Sequence, residues 1–144
     1  MDKVKAVLTF LFESAKKDSN RYYDIAPIAG NDALMIANKL VKEGLIKDDI
    51  LAGYAISIDG IRAADPSFVD QKINEILKAT GDAGTIWNVV DILKAGPEAF
   101  QLCFDLANDM QNRDLVKLLY ALYPSKVMIE MTLIGQQYSS RGGR

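Results

Sequence analysis

A change of hydrophobic period constrains this chain more than any other feature. Up to Val41, apolar side chains recur at three- and four-residue steps. Between 54 and 59 they alternate, Tyr54, Ile56 and Ile58 against Ala55, Ser57 and Asp59. A two-residue repeat is that of a half-buried strand. Gly53 and Gly60 bracket it, and the preceding LVKEGLIKDDILAG supplies Leu45 and Ile46, a polar stretch and a tight turn at Ala52-Gly53. The spacing predicts a hairpin. Two strands alone are marginal in water, so this hairpin must lie against helices.

The helices are read from the same patterning. Val4, Val7, Leu8, Leu11, Phe12 and Ala15 mark one buried face. Tyr22 and Tyr23 suit an extended link, and Pro27 limits any helix over 24–29 to a turn or two. Gly30 and Asn31 form a turn, with Asn31 or Asp32 capping a helix whose Ala33, Ile36, Ala37, Leu40 and Val41 share a side. Gly44 stands where a helix-ending left-handed residue belongs. Beyond the hairpin, Asp65-Pro66 is a start signal. Four further apolar segments follow, around Val69–Leu77, Ile86–Leu93, Phe100–Met110 and Leu115–Leu122, and a last one runs from Val127 to Ile134.

These later segments are short and apolar on more than one side, which predicts a small helical bundle. Their spacing hints at helical repeats, although no residue signature recurs. The expected fold is mainly α. A domain over 1–64 holds three helices and a β-hairpin, a helical bundle occupies 65–138, and 139–144 form a loose tail. The RGGR ending is a single copy and too little to read as a nucleic-acid tail.

Composition narrows the chemistry. An apolar content of 49% is enough to bury a core without staples. Seventeen basic and nineteen acidic residues leave a net charge of -2, without the overall positive excess of nucleic-acid binders. A local basic patch would still act within a Debye length. Histidine is absent, which removes the commonest neutral-pH acid/base, the Ser–His and Cys–His pairs and most zinc sites. One cysteine, Cys103, forms neither an intramolecular disulfide nor a thiolate cluster. The glycines make no phosphate-cradling pattern. The amino-terminal MDKVKAVLTFLFESAKKD carries Glu13 and reads as an amphipathic helix, not a signal peptide. No apolar run approaches the ~20 residues that cross a bilayer. The expectation is a cytoplasmic, non-enzymatic protein with no cofactor, no metal site and no membrane association.

The order helix, short helix, turn, helix, hairpin resembles the winged helix-turn-helix family. The phrase LVKEGLIKDDILAGYAISIDGIRAA is similar to that family's join between third helix, wing and following helix, with ISIDGI as its characteristic exit. The resemblance covers residues 3–64. It implies that Asn31 to Glu43 form a recognition helix and Ile46 to Ile58 a wing. It also implies that the helix enters the major groove of double-stranded DNA. The implied contacts are Asn31, Asn38, Lys39 and Lys42, with Arg21, Lys16 and Lys17 on nearby phosphates. The carboxy-terminal helices would pair two copies as a homodimer, which makes the chain a transcriptional regulator.

This sequence departs from such a reader in several places. The presumed recognition helix has no arginine and carries Asp32 and Glu43. Asp48 and Asp49 give the wing the wrong sign for phosphate. Over 1–66, acidic side chains slightly outnumber basic ones. The alternative is a protein-interaction module without DNA, in which Leu34 and Met35 dock a partner helix and Trp87 anchors an interface. Ordinary roles compete with each of these. Lys39 and Lys42 suit a solvated helix face, Trp87 and Cys103 suit packing, and Asp48-Asp49 suit a polar turn. Tyr22 and Tyr23 could stack on a base beside Arg21 or pack at the link. Asp105, Asp109 and Asp114 lack the glycine of a calcium loop and read as a solvated acidic face.

Overall fold

Asp2 starts the first helix: its side chain accepts the Val4 N–H at 3.0 Å and caps α1 (Lys3–Lys17). Val7, Leu8, Leu11 and Phe12 form the buried face of α1. Burying a side chain of this size contributes about 1.5–3 kcal/mol, which is what holds a short helix in a small unit. The link then extends through Tyr23, which exchanges backbone hydrogen bonds with Tyr54 at 2.7 and 2.9 Å. Pro27 sits in the first turn of α2 (Ala26–Ala29), where its missing N–H costs nothing. A 3-10 turn (Gly30–Asp32) leads into α3 (Ala33–Lys42), whose Ile36, Ala37 and Leu40 face the core. Neither Asn31 nor Asp32 caps α3 through a side chain; the 3-10 turn does the work of entry.

Strands β1 (Ile46–Asp49) and β2 (Gly53–Ile56) form an antiparallel hairpin, with Ile46 opposite Ile56 and Asp49 opposite Gly53. Ser57 then caps α4 (Ile58–Ala64), accepting the Gly60 N–H at 3.0 Å and donating to the Gly44 carbonyl at 2.7 Å. Ile58 and Gly60, expected at the end of the hairpin, therefore belong to a helix. α1 packs against α2, α4 and β2.

The structure, a computed structural model, describes residues 2–140 and divides into two units, Met1–Phe68 and Val69–Arg144. The second opens with α5 (Phe68–Ala79), burying Val69, Ile73, Ile76 and Leu77. A short strand β3 (Ile86–Asn88) runs into α6 (Val89–Ile92), which Asn88 caps through the Val90 N–H. A 3-10 turn (Pro97–Ala99) precedes α7 (Phe100–Asn112). Strands β4 (Val116–Leu122) and β5 (Lys126–Met131) and a final helix α8 (Leu133–Ser140) complete it. The sheet order is β3-β5-β4, all antiparallel.

The mainly α expectation, an amino-terminal winged helix with a carboxy-terminal helical bundle, is overturned. The fold is mixed α+β, with antiparallel sheets of two and three strands. The error lies in three segments. Ile86–Asn88 is a strand, and Leu115–Leu122, read as a helix, is mostly β4. Val127–Met131, read as the start of the last helix, is β5. Val127, Ile129 and Met131 are buried while Met128 and Glu130 are only half-buried, a two-residue alternation. In β4 the run KLLYAL is apolar on both faces, so periodicity alone does not separate strand from helix. Pro124 sits in the turn between the strands. The last helix also runs through Ser140, into the segment expected to be loose; residues 141–144, with RGGR, lie outside the described residues.

The two units follow one plan. Each runs long helix, extended bridge, short helix, 3-10 turn, helix, hairpin, helix. The bridge Tyr23–Tyr54 in the first corresponds to Trp87–Ile129 in the second. After the third helix, Leu45 N–H returns to the Leu40 carbonyl at 2.9 Å, and Leu115 N–H to Met110 at 3.0 Å. The left-handed residue before each leucine is Gly44 (φ 76°) in one unit and Asp114 (φ 60°) in the other. Thr132 repeats Ser57: it donates to the Asp114 carbonyl at 2.6 Å and accepts the Gly135 N–H at 2.9 Å. Gly60 and Gly135 match as well. A Cβ at Gly60 would overlap the Leu45 carbonyl oxygen, and one at Gly135 the Leu115 carbonyl oxygen. The repeat is thus a mixed α/β unit, with strands of seven and six residues in the second hairpin where the first has four and four.

Candidate interaction surface

With Ile36, Ala37 and Leu40 turned inward, the rest of α3 is presented outward. At about 100° per residue, Val41 and Leu34 lie at one side of the exposed arc, Asn38 at its middle, then Lys42 and Met35, with Lys39 at the far side. Leu34 is 69% and Met35 67% exposed, so the first turn of α3 offers apolar surface and its last turn offers two ammonium groups. Asp32, at the start of this face, is engaged by Lys3 at 2.9 Å, and Lys3 also donates to the Ala29 carbonyl at 3.3 Å. Neither Lys39 nor Lys42 forms an ion pair among the described residues.

The tip of the β1–β2 hairpin is a second exposed feature, outside the residues that the sequence pattern singles out. Ile50 and Leu51 are 95% and 96% exposed. Their turn is held by Asp49, whose Oδ1 accepts the Leu51 N–H at 2.9 Å and the Ala52 N–H at 3.1 Å. The Ala52 N–H also reaches the Asp49 carbonyl at 3.2 Å. Tight turns ordinarily carry Gly, Asn, Asp, Ser or Pro at such positions. Two adjacent aliphatic residues there gain no burial and depart from local preference, which is the pattern of a functional position. The letters DDIL become a signal only once the turn is placed there, as two carboxylates followed by two aliphatics where a polar turn is normal.

The remaining predicted residues are dispersed. Asn31 lies exposed in the 3-10 turn, and Asn38 shares the outward face of α3. Lys16 and Lys17 occupy the last turn of α1. Lys16 pairs with Glu13 at 2.9 Å and lies 4.6 Å from the centroid of the Phe12 ring. Arg21 is exposed in the link that follows. Tyr23, beside it, is a packing residue: its hydroxyl donates to the Asp18 carbonyl at 2.8 Å, with the Ser14 carbonyl at 3.2 Å. Burial, and then the Asp18 charge, raise the pKa of that phenol. Trp87 lies half-buried in β3, its Nε1–H donating to Thr85 Oγ1 at 2.8 Å.

In the second unit the corresponding helix, α7, carries neither lysine nor arginine and bears Asp105 and Asp109. Arg113, just past its end, lies 3.8 Å from Asp109, 3.9 Å from Asp70 and 5.9 Å from the centroid of the Tyr138 ring. The outer strand β4 is blunted as a pairing edge. Gln111 Oε1 accepts the Leu118 N–H at 2.8 Å, and the register slips between Leu118 and Tyr120. Exposed apolar side chains of this unit are spread over β3, β4, the β4–β5 turn and the start of α8.

Among the described residues, no group of three or more Cys, Asp or Glu is placed to hold a metal ion. Cys103 is buried, and desolvation pushes its thiol up to about 11, against a smaller lowering by Lys72. A thiol so placed is protonated at neutral pH and a poor nucleophile. No described helix is long and apolar enough to cross a membrane. Compared with protein-family models, curated proteins and solved structures, the chain finds no match.

Proposed function

We propose that this chain is a non-catalytic binding module that engages protein through the exterior of α3 and the tip of the β1–β2 hairpin. The observation that carries this reading is the near-complete exposure of Ile50 and Leu51 on a turn fixed by Asp49. An apolar tip whose turn is closed by Asp49 hydrogen bonds is partly organised for binding, which lowers the ordering cost of its insertion into a partner's surface. Leu34 and Met35 add a second apolar element on the same unit. A cytoplasmic location belongs to the same proposal, supported by the free, buried thiol of Cys103.

Duplex DNA binding by a transcriptional regulator is the second reading. It is favoured by the exposed Lys39 and Lys42, which have no ion pair among the described residues. Against it stand the apolar first turn of α3, the exposed Asp48 and Asp49, and an α7 without a single basic residue.

Fluorescence anisotropy with mixed-sequence duplex at low salt separates the two, because phosphate contacts are strongest there. The protein-binding reading predicts no saturable binding. Saturable binding lost on Lys39→Glu with Lys42→Glu would replace it with the DNA reading. Proximity labelling in cells provides the complementary test. Leu34→Asp with Leu51→Asp should remove a specific labelled protein, and an unchanged labelling pattern would refute the surface.

A further inference from the structure

We infer that the occupant of this surface is a second copy of the chain, the hairpin tip of each protomer seated on the α3 exterior of the other. The inference rests on the protein-binding reading and adds the identity of the partner. Every large apolar side chain exposed among the described residues of the first unit falls in one of two places: Leu34, Met35 and Val41 on α3, or Ile50 and Leu51 at the tip. The two patches carry opposite charge at their margins. Lys39 and Lys42 flank the apolar residues of α3, and Asp48 and Asp49 immediately precede Ile50 and Leu51. A surface that holds both an acidic apolar projection and a basic apolar face is complementary to itself.

That property is what a two-fold interface requires. Under a two-fold axis, the tip of one chain meets α3 of the other, and the reverse contact follows by symmetry. Each contact then buries aliphatic carbon while a lysine approaches an aspartate. The rim charges set orientation and association rate, and the aliphatic centre sets persistence. Acidic residues at the tip also disfavour an anionic lipid surface or nucleic acid as its target. The edge of β4 offers no competing route to strand pairing between copies, because Gln111 and the local bulge already disrupt it.

Sedimentation velocity over a wide concentration range, with a charge exchange between copies, tests this directly. The wild-type chain is expected to dimerise reversibly. Leu51→Asp should weaken dimerisation by roughly tenfold or more, since one desolvated contact of this kind accounts for more than 1.4 kcal/mol. Lys39→Glu with Lys42→Glu should weaken it, and so should Asp48→Lys. An equimolar mixture of those last two chains should associate more tightly than either alone, because both reciprocal contacts regain opposite charges. All substituted side chains are exposed, and circular dichroism with Trp87 fluorescence verifies that each variant is folded.

A wild-type chain that stays monomeric at every concentration overturns the inference, as does a mixture no tighter than its components. If the wild type is monomeric while Leu34→Asp with Leu51→Asp still strips another labelled protein in cells, self-association fails and the binding-module reading stands. If neither association exists, both fail.

Discussion

Replacing Gly135 by alanine should destabilise the second unit, although the substitution places a better helix former inside α8. Propensity alone favours alanine there by about 1 kcal/mol. The geometry opposes it. The new Cβ would overlap the Leu115 carbonyl oxygen and lie 3.0 Å from the Met131 methyl carbon. Ordinary carbon–oxygen contacts are about 3.3–3.6 Å, so α8 must retreat by roughly 1 Å or more. The retreat strains the Thr132 hydroxyl, whose single proton is shared between the Asp114 and Leu115 carbonyls at 2.6 and 2.8 Å. Losing that bond costs about 0.5–1.5 kcal/mol, and overpacking a further 1–3 kcal/mol. After subtracting the propensity gain, the net loss is about 0.5–3.5 kcal/mol.

Trp87 lies in the same unit, so urea unfolding followed by its fluorescence reports the change. With m near 1–2 kcal/mol/M for a small unit, the midpoint should fall by roughly 0.3–3.5 M. Gly60→Ala, followed by far-ultraviolet circular dichroism, should show a loss of similar size through the Leu45 carbonyl and Ile56. Gly44→Ala is the control: its Cβ meets nothing within 4 Å, so only the left-handed backbone (φ 76°) opposes it, at about 1–2 kcal/mol. An unchanged or raised midpoint for Gly135→Ala would mean that α8 does not rest on Leu115, and the equivalence of the two units would lose its main support.

Asp114→Gly should stabilise the second unit by about 0.5–1 kcal/mol in urea melts, because φ 60° suits glycine as it does at Gly44. A loss of stability would show that the aspartate side chain is needed there. Ser57→Ala should cost about 1–2 kcal/mol by removing both the α4 cap and the bond to the Gly44 carbonyl, measured by thermal or urea unfolding. Cys103 should resist thiol reagents at pH 8 in the folded chain and react rapidly in urea. Because burial raises its folded pKa from 9.0 to about 11, its contribution is full below pH 9 and is lost as pH rises toward 11. The wild-type midpoint should therefore fall across that window relative to Cys103→Ala, and parallel profiles would contradict the assignment.

The sequence was most legible where one period dominates. Val7, Leu8, Leu11 and Phe12 on α1, and Ile36, Ala37 and Leu40 on α3, are buried on the faces their spacing indicates. The reading failed where apolar residues leave no period to follow. Leu115 to Leu122 satisfies helical and strand templates together, and only pairing with β5 decides between them. The duplication is hard to see because matched positions differ in identity, Leu40 against Met110, Ser57 against Thr132, and Gly44 against Asp114, the last pair sharing only a left-handed backbone. The longer second hairpin then breaks a fixed spacing between them. Gly60 and Gly135 are the same letter, and their carbonyl contacts show why both must be glycine. On the surface, Leu34 and Met35 could be named from their place on the wheel. The hairpin tip could not, because Ile50 and Leu51 look like strand residues until the turn at Asp49 is seen.

Amide chemical shifts of the uniformly labelled chain, recorded across a concentration series, probe the proposed surface residue by residue. The account predicts concentration-dependent shifts at Leu34, Met35, Asn38 and Lys42 on α3 and at Asp48 to Ala52 in the hairpin, with the amides of β3, β4 and β5 unmoved. Shifts centred on the second unit, or an unchanged spectrum throughout the series, would contradict it.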